Sequence, residues 1–176
     1  GRRIIIIGDH GHDEVVGIAS QVKDPIVIEN PEEALNLRKM KKAGIVSQST
    51  QTIENVQDII NILMTKVFDL RFVNTICFPT KRNQNQIKEL AELCDVMLII
   101  GSFTSANSKR LSQLSKVRNS NSHQITCAKD IHLDWFTNAE SVGISAGAST
   151  PDNLIEEVVQ FVTHLDQEIE KEIVYG

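Results

Sequence analysis

The sequence has few cysteines and no long run of apolar residues. Its three cysteines, Cys77, Cys94 and Cys127, are an odd number with no Cys-x-x-Cys pair, which disfavours a disulfide framework or a self-contained zinc site. No stretch approaches the roughly 20 apolar residues that a membrane helix needs, and the amino terminus has no signal-peptide pattern. We therefore expect no membrane association and a cytoplasmic location.

Long runs of basic residues are also lacking. The 18 lysines and arginines are outnumbered by 23 acidic residues, which gives a net charge of -5. This balance disfavours a general nucleic-acid surface but allows a local positive pocket for one anionic ligand. The phosphate-binding pattern GxxxxGK[ST] is absent as well, which disfavours a nucleoside triphosphate as that ligand.

What the sequence does contain is an alternation of short aliphatic runs and segments with helical periodicity. The strand-like runs are Arg3 to Ile7, Pro25 to Ile28, Ala43 to Ser47, Phe72 to Ile76, Val96 to Ile100, Gln124 to Cys127 and Ser141 to Ser145. The helical segments are Glu32 to Lys41, Thr52 to Phe68, Gln84 to Cys94, Ser108 to Val117 and Thr150 to Glu172, with a further one beginning at Glu14. This alternation predicts parallel sheets with right-handed crossovers.

The chain also repeats itself weakly. IIGDHGHDE at 6–14 resembles IIGSFTSAN at 99–107, and GIVSQSTQTIENV at 44–56 resembles GISAGASTPDNLI at 143–155. We predict an α/β fold of two pseudo-repeated small parallel-sheet units with helices on their faces. The first unit spans residues 1–72, with the His12/Glu14 and Gln48–Thr50 loops. The second spans residues 73–176, with Cys77 and the Ser105–Asn107 and Ser149 loops. Their polar loops are expected at corresponding sheet edges, facing a shared cavity.

A polar loop, GDHGHDEVVG, follows the first strand. In open α/β sheets, ligands bind at the carboxyl ends of the strands, where this loop lies. His10 and His12 have a spacing that suits metal ligation, but Gly11 is expected to break that geometry. Glu14 is either a first-turn acid favoured by the helix dipole or a proton carrier at the edge of a pocket.

Three further strand-to-helix turns are rich in hydroxyl groups. They lie at residues 47–52, 101–110 and 145–152. One hydroxyl in the first turn, on Thr50 or Thr52, is needed as a helix cap. The others suit an anion held by neutral donors and helix amino termini. Composition and spacing therefore favour a diphosphate site.

Cys77 lies at the predicted carboxyl end of a strand, before a proline-containing turn. That position suits a functional site, whereas Cys94 and Cys127 are expected to be core thiols. A single thiolate cannot hold an iron-sulfur cluster alone. If Cys77 binds iron, the other ligands lie outside this chain.

The combined motifs resemble the LytB/IspH family, the hydroxymethylbutenyl diphosphate reductases that complete the methylerythritol phosphate route to isoprenoids. The matching stretches are GHDEVVG, QST, NTIC followed by Thr80 and Gln84, GSFTSANSKRL, and AESVGISAGASTPDNLI. They occur in the family's order and cover nearly the whole chain. The resemblance implies the second and third α/β units of that family. The amino-terminal unit, which supplies two of the three cluster cysteines, is not represented.

This resemblance implies a reaction and a set of site residues. The family removes the substrate's allylic hydroxyl with two electrons and two protons, at a central [4Fe-4S] cluster, to give isopentenyl and dimethylallyl diphosphates. The electron donor is expected to be a ferredoxin or flavodoxin. The implied roles are cluster ligation by Cys77, proton delivery by Glu14 with Ser49 and Thr50, diphosphate binding by His12, Ser105, Asn107 and Ser149, and a pocket wall at Gln48.

Four positions depart from the family pattern. Ser49 and Ala106 stand where relatives have threonine and a second serine, so the first change keeps a hydroxyl and the second removes one. Asn83 stands in place of a common arginine, although Arg82 is adjacent. Asp13 replaces a common proline and adds negative charge near an anionic substrate. These changes are compatible with an active enzyme and with a divergent one.

Two alternatives remain open from the sequence. The chain could be a cluster-free module of this family that binds a diphosphate or a protein partner. It could also be a metal hydrolase that uses His10, His12 and Asp13, although no distant third ligand is evident.

Overall fold

The computed structural model describes the backbone of residues 1–175 and the side chains of residues 1–165. The strands are β1 (Arg3–Ile7), β2 (Ile26–Ile28), β3 (Met40–Ser47), β4 (Val67–Phe72), β5 (Val96–Ile100), β6 (Ser122–Ile125) and β7 (Val142–Ala146). The helices are α1 (Asp13–Ser20), α2 (Pro31–Asn36), α3 (Ile53–Met64), α4 (Phe78–Leu93), α5 (Ala106–Lys116) and α6 (Asp152–Tyr175). Two short 3₁₀ turns, Ala128–Asp130 and Leu133–Phe136, lie between β6 and β7.

The first sheet has four parallel strands in the order β2-β1-β3-β4. Its central strand β1 ends in Ile5, Ile6 and Ile7, which are completely buried. Ile5 and Ile7 lie on the face that packs against α2 and α3, through residues such as Ala34 and Ile59. An aliphatic run without alternation is expected where both faces of a parallel strand are covered.

The second sheet has three parallel strands in the order β6-β5-β7. Every residue of β5 is buried, and alternate side chains enter two different cores. Leu98 packs on one face with Val158 of α6. Ile99 packs on the other face with Ile87 of α4 and Leu111 of α5. The period of two along a strand explains why one short segment supports both cores.

The two sheets repeat one arrangement, which confirms the predicted fold class. In each, the first strand is central and lies between the second and the third. The residue after the central strand, Gly8 or Gly101, donates its N–H to the last residue of β2 or β6, at 2.9 and 2.8 Å. The residue after β3 or β7, Gln48 or Gly147, donates to the last residue of the central strand, at 2.8 and 2.9 Å. The hydroxyl-rich turns therefore leave corresponding sheet edges.

The chain divides into two compact units, Gly1–Lys81 and Arg82–Gly176. This division falls inside α4, later than the expected boundary between residues 72 and 73, and it puts Cys77 in the first unit. The reason is local bonding, since the Cys77 amide donates to the Ser49 carbonyl at 3.0 Å.

One expected strand, Phe72 to Ile76, is wrong. The chain forms β4 earlier, and Phe72 is its last residue. Strand pairing ends there because Phe72 is already level with Ile45, near the end of β3. Thr75 then replaces backbone pairing with side-chain bonding, accepting from the Ser47 amide at 2.8 Å. Cys77 thus directly precedes α4 instead of ending a strand.

Two expected helices are shorter than their apolar patterns suggested. α2 ends at Asn36 and α3 at Met64, because the residues that follow pair as strands, with Met40 opposite Val67. Pairing between strands overrode local helical periodicity here. No helix in the described part of the chain is long and apolar enough to cross a membrane.

Candidate functional site in two equivalent sets of turns

In the first unit, Glu14 is held by Ser49. The Ser49 amide donates to Oε1 of Glu14 and the Ser49 hydroxyl donates to Oε2, both at 2.8 Å. Glu14 lies in the first turn of α1, and Ser49 lies in the turn after β3. Both carboxylate oxygens therefore have a donor, which fixes the position of the side chain.

Gln48 connects the loop after β1 to the turn after β3 through its side chain. Its side chain is completely buried. Oε1 accepts from the Asp9 amide at 2.9 Å, and Nε2 donates to Oγ1 of Thr50 at 2.9 Å. The side chain of Gln48 therefore connects the two loops, with its amide group bonded to protein atoms on both sides.

Cys77 lies beside the same turn. Its amide donates to the Ser49 carbonyl at 3.0 Å, and its Sγ lies 2.8 Å from Oγ1 of Thr80. The thiol is half-buried, whereas Thr80 is buried in the first turn of α4. Glu14, Ser49 and Cys77 are thus linked through consecutive hydrogen bonds within the first unit.

The two histidines of the opening loop face different partners. Nδ1 of His12 accepts the Glu14 amide at 3.2 Å, so His12 is the N-cap of α1. In the neutral ring the proton then lies on Nε2, which remains a donor. Nε2 of His10 lies 3.0 Å from both carboxylate oxygens of Glu33. The Glu29 amide and His10 hold the pKa of Glu33 below its usual range.

No group of three or more His, Cys, Asp or Glu side chains able to hold a metal is found among residues 1–165. His10 and His12 do not form a joint ligand set, because each has a separate partner. The metal-hydrolase alternative therefore lacks an assembled site in that part of the chain.

In the second unit, the turn after β5 repeats this design. Ser105 is the N-cap of α5 and accepts the Ser108 amide at 3.3 Å. His12 and Ser105 are 93 positions apart, as are Glu14 and Asn107. Oδ1 of Asn107 is buried without a hydrogen-bond partner among the described residues. An unpaired buried acceptor is costly.

Ser108 packs closely beneath this turn. A Cβ added at Gly101 would lie 2.2 Å from Oγ of Ser108, and one added at Gly147 would lie 2.5 Å from it. Both positions therefore require glycine, since the absence of side chains lets α5 approach the ends of β5 and β7. At the equivalent position in the first unit, a Cβ added at Gly8 would lie 2.6 Å from the side chain of Val15.

A cavity of about 330 Å³ opens at the carboxyl edge of the second sheet. It is lined by Gly101, Ser102, Thr126, Ser149, Thr150, Pro151 and Leu154. Ser149 is exposed, and Oγ1 of Thr150 donates to the Ile100 carbonyl at 3.0 Å. Of the residues predicted to bind diphosphate, Ser149 thus lines this cavity.

Sequence reasoning missed Thr75 and Thr126. Thr75 anchors the end of β3, and Thr126 lines the cavity while donating its hydroxyl to Asp130 at 2.6 Å. The sequence patterns predict both residues within strands, Phe72 to Ile76 and Gln124 to Cys127, one residue before the predicted end of each strand. Because β4 and β6 end earlier than their apolar patterns, these threonines fall in the turns instead. Hydroxyl residues at the last positions of a predicted strand were the available signal.

Comparison with known proteins gives a consistent result. Residues 1–163 match the family described as LytB protein. The 4-hydroxy-3-methylbut-2-enyl diphosphate reductase of Geobacter metallireducens is 40% identical over 94% of this chain and 59% of its own length. The enzyme of the same name from Campylobacter lari is 41% identical over 91% of this chain and 58% of its own length. The chain therefore spans less than two thirds of these relatives.

Solved structures agree. The E-1-hydroxy-2-methyl-but-2-enyl-4-diphosphate reductase of Plasmodium falciparum matches with a TM-score of 0.84 and 26% identity, over 93% of this chain and 52% of that one. An (E)-4-hydroxy-3-methyl-but-2-enyl diphosphate reductase matches with a TM-score of 0.52 and 37% identity, over 93% and 60%. With the repeated fold and the match over residues 1–163, the chain belongs to the LytB family.

Proposed function

We propose that this chain is the catalytic region of a 4-hydroxy-3-methylbut-2-enyl diphosphate reductase. Relatives that are 36–41% identical carry that name. In the proposed reaction the allylic C–O bond breaks, the hydroxyl leaves as water with one proton, and the allyl group takes up the second proton and two electrons. The products are isopentenyl and dimethylallyl diphosphates.

The observation that carries the proposal is the linked arrangement of Glu14, Ser49 and Cys77. Glu14 is a titratable group held by two donors, at 2.8 Å each. Ser49 connects it to the backbone amide of Cys77, the proposed metal ligand. A positioned carboxyl group in the loops that hold a metal ligand is suited to proton delivery. Thr50, bonded to Gln48, continues the row of hydroxyl groups.

An iron-sulfur cluster fits this chain through one ligand. Cys77 is half-buried, as are Cys94 and Cys127, and it differs from them in that its amide is bonded to the Ser49 carbonyl, directly before α4. Burial and the charge of Asp95 raise the pKa of the Cys94 thiol and disfavour its thiolate form. We propose Cys77 as one ligand of a [4Fe-4S] cluster, with two further cysteines outside this chain. When bound, the cluster would supply the two electrons, received from a ferredoxin or flavodoxin.

The diphosphate group of the substrate is proposed to bind neutral donors. These are Nε2 of His12, the hydroxyls of Ser105 and Ser149, and the side chain of Asn107. The N-cap positions of His12 and Ser105 place two of them at helix amino termini, where anions are favoured. Gln48, which connects the two loops of the first unit, is proposed to support the wall of the substrate site. A cytoplasmic location accompanies this proposal.

The test is Glu14→Gln in the full-length protein, purified without oxygen. We expect turnover to fall by a factor of 10² or more, as for loss of a positioned proton donor, while the visible absorbance of the cluster is unchanged. Glu89→Gln, which alters an exposed acid on α4, is the matched control. Turnover should be measured with substrate and a chemical reductant, together with iron and sulfide content.

Normal turnover of Glu14→Gln would remove Glu14 from the mechanism. If the wild-type protein contained no iron and bound the diphosphate without converting it, the cluster-free module would replace the reductase as the proposed function.

A further inference from the structure

The amino-terminal edge of the first sheet concentrates positive charge on an acidic protein. Seven of the 18 basic residues lie at the starts of β1, β3 and β4 or directly before them: Arg2, Arg3, Arg38, Lys39, Lys41, Lys42 and Lys66. The carboxylate of Asp69 pairs with Arg2 at 2.8 Å and approaches Lys42 at 4.0 Å. Lys39 and Lys41 are exposed, and neither forms an ion pair with a described residue.

An open groove of about 440 Å³ lies on this edge. It is lined by Lys39, Met40, Lys41, Met64, Thr65, Lys66, Val67 and Phe68, with three lysines and no acid among these eight residues. The side chain of Phe68 is 96% exposed and that of Met64 66% exposed. The lysines and the exposed apolar side chains of Met64 and Phe68 therefore share one open groove.

The walls of the groove are held in place. Nζ of Lys66 donates to the carbonyls of Leu35 and Leu37, the latter at 2.8 Å, and the Met40 amide donates to the Lys66 carbonyl at 2.9 Å. The segment between α2 and β3 is therefore fixed to the start of β4. A preformed groove binds a partner with little ordering cost.

The groove is separate from the candidate site of the same unit. Met40 begins β3 and Ser47 ends it, so the two ends lie roughly 23 Å apart along the strand. A partner bound here would not contact Glu14 or Cys77. The groove therefore serves attachment and not the reaction.

The chemistry of the groove selects its occupant. Carboxylates complement the lysines on the rim, and an aliphatic side chain complements the methionine floor. The net charge of -5 on the chain disfavours the strongly anionic surfaces of a nucleic acid or an acidic membrane as the occupant. A protein segment that carries both features matches best.

We propose that this groove docks an acidic protein segment that inserts one apolar side chain between Met64 and Phe68, with its carboxylates on Lys39 and Lys41. This interaction goes beyond the proposed reductase function and is independent of it.

The experiment is fluorescence anisotropy with a fluorescein-labelled peptide that has one leucine between two blocks of four glutamates. We expect saturable binding that weakens as salt is raised. The double variant Lys39→Glu/Lys41→Glu should weaken it by roughly tenfold, because two attractive contacts become repulsive. The variant Phe68→Ser, and a peptide with serine for leucine, should also bind more weakly. Lys129→Glu, an exposed lysine of the second unit, is the matched control.

Three outcomes would overturn the proposal. The first is no binding at millimolar peptide, and the second is an equal loss with Lys129→Glu. The third is displacement of the peptide by oligothymidine or phosphatidylserine vesicles more effectively than by unlabelled peptide, which would assign the groove to a nucleic acid or a membrane. Because the altered side chains are exposed, circular dichroism should be unchanged in every variant.

Discussion

At the residue scale, Ser49 holds Glu14 and Cys77 through both its backbone and its side chain. Its amide and hydroxyl hold both oxygens of Glu14, and its carbonyl accepts the amide of Cys77. The backbone contacts are independent of residue type, whereas the hydroxyl contact is not. The hydroxyl is therefore the feature of Ser49 that the proposed mechanism requires.

Ser49→Ala separates these roles. In the full-length protein we expect kcat to fall by about 10- to 100-fold, because a hydrogen bond to a charged group contributes about 1.5–3 kcal/mol. Ser49→Thr, which restores the hydroxyl, should retain most activity. Steady-state kinetics with substrate at several pH values is the measurement. Equal activity of the alanine and threonine variants would contradict the assigned role of the hydroxyl.

At the element scale, each unit depends on close contact between a strand end and the helix that follows it. Gly8 lies against Val15 of α1, and Gly101 lies against Ser108 of α5. This contact brings the amino terminus of each helix to the carboxyl edge of its sheet. The N-cap residues His12 and Ser105 are positioned by it.

Gly101→Ala should therefore destabilise the protein by about 1–3 kcal/mol through overpacking against Ser108. Gly17→Ala is the matched control, since a Cβ at this helical position of α1 meets nothing within 4 Å. We expect that control to stabilise by about 0.5–1 kcal/mol, from helix propensity. Thermal unfolding followed by circular dichroism measures both. Equal effects of the two substitutions would contradict the packing argument.

At the scale of the whole molecule, carboxylate groups in both units accept hydrogen bonds or ion pairs that lower their pKa values. Hydrogen bonds hold the pKa of Asp95 below its usual range. The larger contribution comes from the Ser141 hydroxyl and a smaller one from the Glu140 amide. The Thr126 hydroxyl and amide do the same for the pKa of Asp130. The guanidinium of Arg2 lowers the pKa of Asp69 in the first unit.

These shifts predict acid sensitivity. A carboxyl group whose pKa is lowered by folding stabilises the folded state above its ordinary value of 3.8, and this contribution is lost as pH falls through the folded pKa. We expect the urea midpoint to decrease as the pH falls below about 3.8. Asp130→Asn and Asp95→Asn should each lower the midpoint at pH 7 and flatten the decrease in acid. Asp58→Asn, on the exposed side of α3, should follow the wild-type profile.

The sequence by itself determined the fold class, the central strands and the position of the polar turns. Runs such as Ile4–Ile7 and Val96–Ile100 specify buried parallel strands because their hydrophobic pattern is local and uninterrupted. The glycines and hydroxyl residues that follow them mark the turns for the same reason. The motifs in those turns are sufficient to indicate the family.

The tertiary structure decided what depends on pairing between distant segments. Residues 67–72 form β4 because Met40 and Ala43 of β3 pair with that segment, and Cys77 is directed to Ser49 by the chain leaving the sheet there. The bond between Glu14 and Ser49 joins residues 35 positions apart. The lysine-rimmed groove likewise forms where the starts of β3 and β4 meet. Local sequence patterns do not encode such contacts, since their energy appears once the sheet has brought the segments together.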